Sequence, residues 1–243
     1  MFRALDAVVI IGRDTEKLLL YYGGMTRDKI CFIPNWATLV PGVRAVIAAN
    51  PYRRPLSARY IVGLSGNLGF THDPVIVFEA ARLLHDNRDI HFLLSGWGVG
   101  FEQLREMQNA ARLSNVTLIG RVEDGQLEAF LSAADVWIIP YRKNVAGVSV
   151  PSRFYNLLAI GRPVILVSEP DAEAALTVIE QDVGWVVAPG KASELANAVV
   201  HAASSDDPHR AERATEIAKR FDSHAAMAGY RALIHHLLQK KPD

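Results

Sequence analysis

The chain of 243 residues holds one cysteine, Cys31, which excludes an internal disulfide and a cysteine-based zinc site and fits a reducing compartment. It has no surplus of either charge: lysine plus arginine number 26, as do aspartate plus glutamate. Broad nucleic-acid binding, which rests on a basic surface, is thereby disfavoured. No apolar run approaches the length of a membrane span, and no cationic leader with a long apolar stretch and a cleavage site opens the chain. No serine sits in a G-x-S-x-G elbow, so hydrolase chemistry has no support. Without an H-x-x-x-H pair no metal is assigned, and no cofactor is expected. Asp171, Glu173 and Asp182 lack the paired spacing of an acid/base couple, and His235 and His236 point in different directions from one helix. These absences describe a soluble chain, expected to be cytoplasmic.

What is there is a sizeable apolar fraction, 50% of residues, enough to bury a real core. β-branched runs alternate with stretches of helical period. "AVVII" (7–11), a helix-like "RDTEKLLLYYGG" and "KICFIP" (29–34) form a strand-helix-strand piece, followed by an irregular, proline-bearing linker. From Tyr60 the rhythm is regular: "YIVGLSG", "IHFLLSG", "VTLIG", "DVWIIP", "RPVILV" and "GWVVAP" each end near Gly or Pro, with helix-length segments between them. Fully apolar strands with amphipathic crossovers predict an α/β, doubly wound parallel sheet, Rossmann-like, covered on both faces. The leading piece exposes apolar faces and strand edges unless it joins a larger sheet. The chain therefore reads as the last part of one domain (1–35), a linker (36–58), a complete domain (59–221) and a closing helix (222–243).

In open α/β sheets ligands bind beyond the carboxyl ends of the strands, so the residues there carry the functional reading. After the first strand of the complete domain, "SGNLGFTHDP" places Gly66, Asn67, Gly69 and His72 in a turn that allows close backbone approach; an ordinary strand-to-helix loop is the plain alternative. After the second, "SGWGVGF" includes Gly96 in a G-x-G-x-G spacing that is not a dinucleotide fingerprint. Trp97 is either a stacking platform or a half-exposed aromatic. After the third, Gly120, Arg121 and Val122 can present backbone groups to a base, or form a plain turn. After the fourth, "VPSRFYN" gathers Ser149 as a helix cap, Pro151 in a first turn, and Ser152, Arg153 and Asn156 on a polar face opposite Phe154, Leu157 and Leu158. A helix N-terminus, a hydroxyl and a guanidinium together suit a phosphate, with Asn156 placed for a sugar hydroxyl. A routine cap with a surface arginine is the plain alternative.

In this order, "KICFIPNWAT", "GLSGNLG", "NVTLIGRV", "LSAADVWIIP", "VPSRFYNLLAIGRPVI" and "GWVVAPG" resemble the C-terminal, donor-binding half of GT-B glycosyltransferases of family 4. The bacterial polysaccharide-assembly members related to colanic acid biosynthesis enzymes are the nearest in pattern, and the likeness runs through nearly the whole chain from Leu5. The resemblance implies two Rossmann-like domains facing across a cleft and metal-free sugar transfer with retention of configuration. The N-terminal domain would bind the acceptor, a glycan or lipid-linked sugar, and the C-terminal one a nucleoside-diphosphate sugar. On that template "VPSRFYN" faces diphosphate and ribose, "GNLG" the phosphates and "GRV" the base.

Three departures qualify the resemblance. Two glutamates eight positions apart, common in the family, read here as Val148 and Asn156. The basic pair after the first strand reads Asn67 and His72, for which Arg153, Arg142 or Lys143 would compensate. Most of an acceptor domain, about 150 residues by ordinary domain size, would be expected before Met1 or on a partner chain. Without it the apolar positions Met227, Tyr230, Ala232, Leu233 and Leu237 of the closing helix are partly uncovered. The expected location is accordingly cytoplasmic, peripheral at the inner membrane face through that partner or domain. A non-catalytic binding or scaffolding subunit is the first rival. A nucleotide-sugar epimerase, which would need acidic and histidine groups around the sugar, and an NAD-dependent enzyme resting on "GWGVG" are weaker ones.

Overall fold

A computed structural model describes residues 2–239; Met1 and the last four positions of the closing 222–243 segment lie outside the described residues. The chain opens with a strand β1 (Val8–Ile10), a helix α1 (Thr15–Tyr21) and a strand β2 (Ile30–Phe32). The two strands pair in parallel, Val8 opposite Ile30, and form a sheet of their own. The expected strand-helix-strand piece is thus present, with both strands shorter than their apolar runs.

The main sheet has six parallel strands. These are β3 (Tyr60–Asn67), β4 (Ile90–Trp97), β5 (Val116–Ile119), β6 (Val136–Pro140), β7 (Val164–Val167) and β8 (Gly184–Val187). Their spatial order is β5-β4-β3-β6-β7-β8, so the chain runs outward from β3 to one edge, then returns to β6 and runs to the other. That reversal leaves a crevice between the carboxyl ends of β3 and β6, where a doubly wound sheet binds ligands.

The crossover helices are α2 (Pro74–Leu83), α3 (Val99–Ala111), the short α4 (Leu127–Leu131), α5 (Ser152–Ala159) and α6 (Glu173–Gln181). Three more, α7 (Ala192–Ser204), α8 (Arg210–Ala218) and α9 (Ser223–Gln239), follow the last strand. Alternation along each strand divides the interior in two. Val62, Leu64, Phe92, Leu94, Ile138 and Ile165 face a core with Ile76, Phe78, Leu104 and Val199 of α2, α3 and α7. Ile61, Leu93, Trp137, Ile139, Val164 and Leu166 face the other, with Phe154, Leu157 and Leu158 of α5, Val178 of α6 and Ile217 of α8. Burial on both faces is why these runs are apolar throughout rather than alternating.

The segment between β2 and β3 is strapped down rather than loose. Gly42 and Arg44 donate backbone N–H groups to the carbonyls of Ala159 and Ile160 at the end of α5. Arg53, largely buried, pairs with Asp135 at 2.7 Å and also donates to the Ala133 and Arg59 carbonyls. The same Asp135 carboxylate accepts the Ile61 N–H at 2.6 Å. By contrast α9 buries only Ala226. Of the five apolar positions singled out in the sequence, Met227 and Ala232 are exposed and Tyr230, Leu233 and Leu237 half-buried, while Ile234 and Leu238 are exposed as well. No helix among the described residues is long and apolar enough to cross a membrane.

The sheet centre is tight. Gly63 lies opposite Trp137 in register, and a Cβ on it would sit 2.6 Å from the indole ring. Gly63→Ala is expected to lower stability by about 1–3 kcal/mol, the usual cost of overpacking a core, read as a lower urea midpoint with an unchanged slope.

Candidate functional site

The crevice holds a cavity of about 250 Å³ lined by Ser65, Gly66, Asn67, His72, Trp97, Tyr141, Ser149, Val150, Pro151, Ser152 and Arg153. Three strand ends and one helix end build it. At the end of β3, Gly66 adopts φ +137°, a conformation L side chains rarely adopt, and leaves open space where a Cβ would stand. Beside it, one residue before the end of β4, a Cβ on Gly96 would meet the Gly66 carbonyl at 2.6 Å, so the close approach of the two strand ends needs glycine at 96. The buried Leu68 then anchors the turn by donating its N–H to the Trp97 carbonyl and accepting that of Gly100. Ser95 hydroxyl donates to the Gly120 carbonyl at 2.7 Å, tying the β5 loop to this rim.

On the other side, residues 71–73 cross the end of β6. The Asp73 N–H donates to the Pro140 carbonyl, the Arg142 N–H to that of Thr71, and His72 and Tyr141 form an antiparallel bridge with their rings 5.0 Å apart. Burial lowers the His72 imidazole below its ordinary value and pushes the Tyr141 phenol up to about 12, so both are neutral at pH 7. Arg142 Nε donates to the His72 carbonyl at 2.7 Å, which spends one of its donors on the loop.

The decisive feature is at the start of α5. Its N-terminus has no side-chain cap, so first-turn N–H groups are left for another acceptor. Arg153 lines the cavity with its Nε buried and without a hydrogen-bond partner. Burial lowers its guanidinium below the usual arginine range, opposed only by the field of Asp124. A buried guanidinium donor with no acceptor is costly unless something anionic fills the space. Uncapped helix, half-buried cation and the Gly66 turn together form a cradle whose chemistry suits an anion.

Of the residues expected from sequence, Gly66, Asn67, His72, Ser149, Pro151, Ser152 and Arg153 come together around this one cavity. Gly96 supports it from beneath. Gly69 lies in the loop above with open space at its Cβ position, and Gly120 is likewise open. Arg121 reaches the rim by laying its guanidinium 4.9 Å from the Trp97 ring centre, and Val122 packs its side chain on the core. Two expectations need correcting. Ser149 is not a helix cap: Pro151 takes the N-cap position and the Ser149 hydroxyl lies 3.2 Å from that of Tyr141. Asn156 does not face a sugar: it is buried, its Oδ1 accepts the Thr38 N–H at 2.7 Å and the Leu39 N–H at 3.2 Å, and its Nδ2 donates to the Thr38 hydroxyl. The physical reason is that the linker crosses this face of α5 with unpaired backbone donors that the amide satisfies. Tyr141 was missed, although its position directly after β6 was the available signal.

Larger hollows of about 490 and 530 Å³ open at the amino ends of β3 and β4, around His85 and Arg88 and around Arg59 and Asp206. They lie on the edge opposite to the one where such sheets bind ligands. Among the described residues no group of three or more His, Cys, Asp or Glu could hold a metal ion.

A doubly wound domain with an anion cradle at its switch point is the class this fold and cavity define. Residues 59–205, more than half of the chain, match the family described as glycosyl transferases group 1. The chain belongs to that family, with the Rossmann-like half of a GT-B, family 4 architecture. It is 24% identical over 204 residues to the probable glycosyltransferase WbjE of Pseudomonas aeruginosa, covering 82% of this chain and 50% of the relative. It is 27% identical over 154 residues to the putative colanic acid biosynthesis glycosyl transferase WcaI of Escherichia coli (strain K12), covering 62% and 38%. The chain thus spans half or less of the length of these curated relatives. Among solved structures it superposes on sucrose-phosphate synthase of Thermosynechococcus elongatus with a TM-score of 0.79 at 20% identity, over 99% of this chain and 60% of that one. Anabaena HepE in complex with UDP-glucose gives 0.74 at 17%, over 95% and 64%. These likenesses establish the fold.

Two outcomes are expected. Asn156→Ala strands two linker N–H groups and should cost about 1–3 kcal/mol, measured by denaturant unfolding. The native chain refuses protons on His72 and His91, both lowered by burial, that the unfolded chain accepts near pH 6.5. Stability is therefore full above that value and falls as pH drops through it toward the native values. A His72→Gln, His91→Gln double variant should flatten the loss of unfolding free energy between about pH 7.5 and 5.

Proposed function

We propose that this chain is the nucleotide-sugar donor-binding half of a retaining glycosyltransferase that assembles surface polysaccharide or lipid-linked glycan. The observation that carries the reading is Arg153, a half-buried cation whose Nε is buried and unpartnered beside the uncapped start of α5. The donor's diphosphate would lie there, over the Gly66–Asn67 turn and against Ser152. The guanidinium and helix N–H groups would stabilise the charge that builds on the nucleoside diphosphate as the sugar departs. The rim where Arg121 lies on Trp97 would flank the base. The family membership supports sugar transfer. The complex of HepE with UDP-glucose supports a nucleoside-diphosphate sugar as the donor class, and the likeness to the putative colanic acid biosynthesis glycosyl transferase WcaI supports a role in polysaccharide assembly.

Donor binding on this reading needs no metal and no cofactor, because the cationic partner of the diphosphate is Arg153 itself. The acceptor, a glycan or lipid-linked sugar, would be held by a second domain or partner chain facing the carboxyl edge of the sheet. Neither base nor acid is assigned within this chain. Val148 stands 64% exposed on the loop before α5 and offers no hydrogen bond to a sugar. It is the observation that favours the second reading, a nucleotide-binding scaffold without turnover.

Titration calorimetry with UDP, GDP and ADP and their sugar conjugates is the test. Saturable binding of one of them, weakened about tenfold or more by Arg153→Ala as loss of a charge-assisted contact requires and unchanged by EDTA, is the expected result. No binding to a folded chain rejects the donor-site reading.

A further inference from the structure

Asp14 stands at the N-cap of α1, where an aspartate ordinarily accepts an N–H from its own helix, yet its carboxylate makes no such bond. Its Oδ2 instead reaches across the chain. It accepts the N–H of Gly147 at 2.7 Å and that of Glu173, the first residue of α6, at 3.1 Å. α6 has Ala172 at its own N-cap, so the first helical N–H is satisfied from outside by Asp14. Gly147 belongs to the loop between β6 and α5, whose next residues, Ser149 to Arg153, line the donor cavity.

The surroundings are built for this reach. A Cβ on Gly12 would lie 2.8 Å from Val150 of the cavity wall and 3.1 Å from Glu173, so only glycine lets the two segments approach. Gly147 has φ +77°, and a side chain there would meet the Asp14 carbonyl at 3.2 Å. Arg13 clamps the same contact: its N–H and Nε both donate to the buried Glu173 carboxylate, and its two terminal nitrogens pair with Glu180. The loop itself has few internal restraints, chiefly the Val148 and Ser149 N–H bonds to the Val145 carbonyl and the Ser149–Tyr141 hydroxyl contact.

We infer that Asp14 is a positioning residue for donor binding: planted in the N-terminal unit, it holds the Gly147–Pro151 loop in the conformation that seats the donor's phosphates. Occupancy of the cavity and seating of the β1–α1 loop are then coupled, and by linkage each strengthens the other. This rests on the donor-site reading above and adds to it the element that sets the loop.

The test combines amide exchange with calorimetry on the full chain. Without ligand, Asp14→Ala should speed amide exchange across 145–150 by about tenfold or more, the effect of losing hydrogen bonds to a charged acceptor. Its affinity for whichever of UDP, GDP and ADP the wild type binds should fall by a similar factor. Asp14→Asn keeps an amide oxygen for both N–H groups and should recover affinity to within about threefold. In the wild type, bound nucleotide should slow exchange at 12–15, a readout that a fold-only role would not move and that serves if Asp14→Ala does not fold. Unchanged affinity in folded Asp14→Ala, or unchanged exchange at 12–15 on nucleotide binding, overturns this inference and leaves the donor site standing. A wild-type chain that binds none of the three overturns both.

Discussion

A parallel sheet buried on both faces has apolar sides, so polar chemistry is left to the loops beyond its strand ends, and in a doubly wound sheet ligands bind beyond the carboxyl ends. The candidate site follows from that constraint. β3 and β6 are neighbours whose crossovers leave in opposite directions, so a crevice opens between their ends and cannot be closed by a helix. Into it the fold turns a glycine corner at Gly66, an uncapped helix start and the guanidinium of Arg153. The burial of its Nε without a hydrogen-bond partner makes that cation expensive to leave alone.

The N-terminal strand-helix-strand unit is fastened to the rest of the chain. Two short paired strands cannot be stable by themselves, and here they are held by charge as well as by packing. Arg13 and Asp14 meet Glu173, Glu180 and Gly147, while Ala37 donates to the Phe221 carbonyl where α8 gives way to α9. The buried Asn156 amide and the Arg53–Asp135 pair fasten the intervening linker to the domain it precedes. Met227, Ile234 and Leu238 of α9 stand exposed.

Much of the architecture was legible in the sequence because strand burial and helix amphipathicity leave periodic traces. "YIVGLSG" and "DVWIIP" are β3 and β6, and their terminal Gly and Pro mark where the strands stop. Phe154, Leu157 and Leu158 announced the buried face of α5, and the order of loop motifs announced the family. The site was legible to the extent that its residues follow strand ends. Tyr141 obeys the same rule and went unread, because a phenol after a strand has no motif to single it out.

Helical period assigns a residue to a face, but it does not say what covers that face. Ser152 and Asn156, four apart, share a stripe of α5, yet Ser152 opens to the cavity while Asn156 is spent on a linker 118 residues earlier in the chain. Ser149 reads as a cap and serves as a partner of Tyr141. Asp14 reads as the cap of α1 and serves α6 and the cavity loop, 159 and 133 residues away. The sequence by itself determined the alternating elements, the doubly wound sheet, the edge on which chemistry would lie and the family. Tertiary structure alone decided which polar side chains face the cavity and which satisfy buried backbone. Unpaired N–H groups are satisfied by whatever acceptor the fold brings near, and that proximity is set by long-range packing rather than by local spacing.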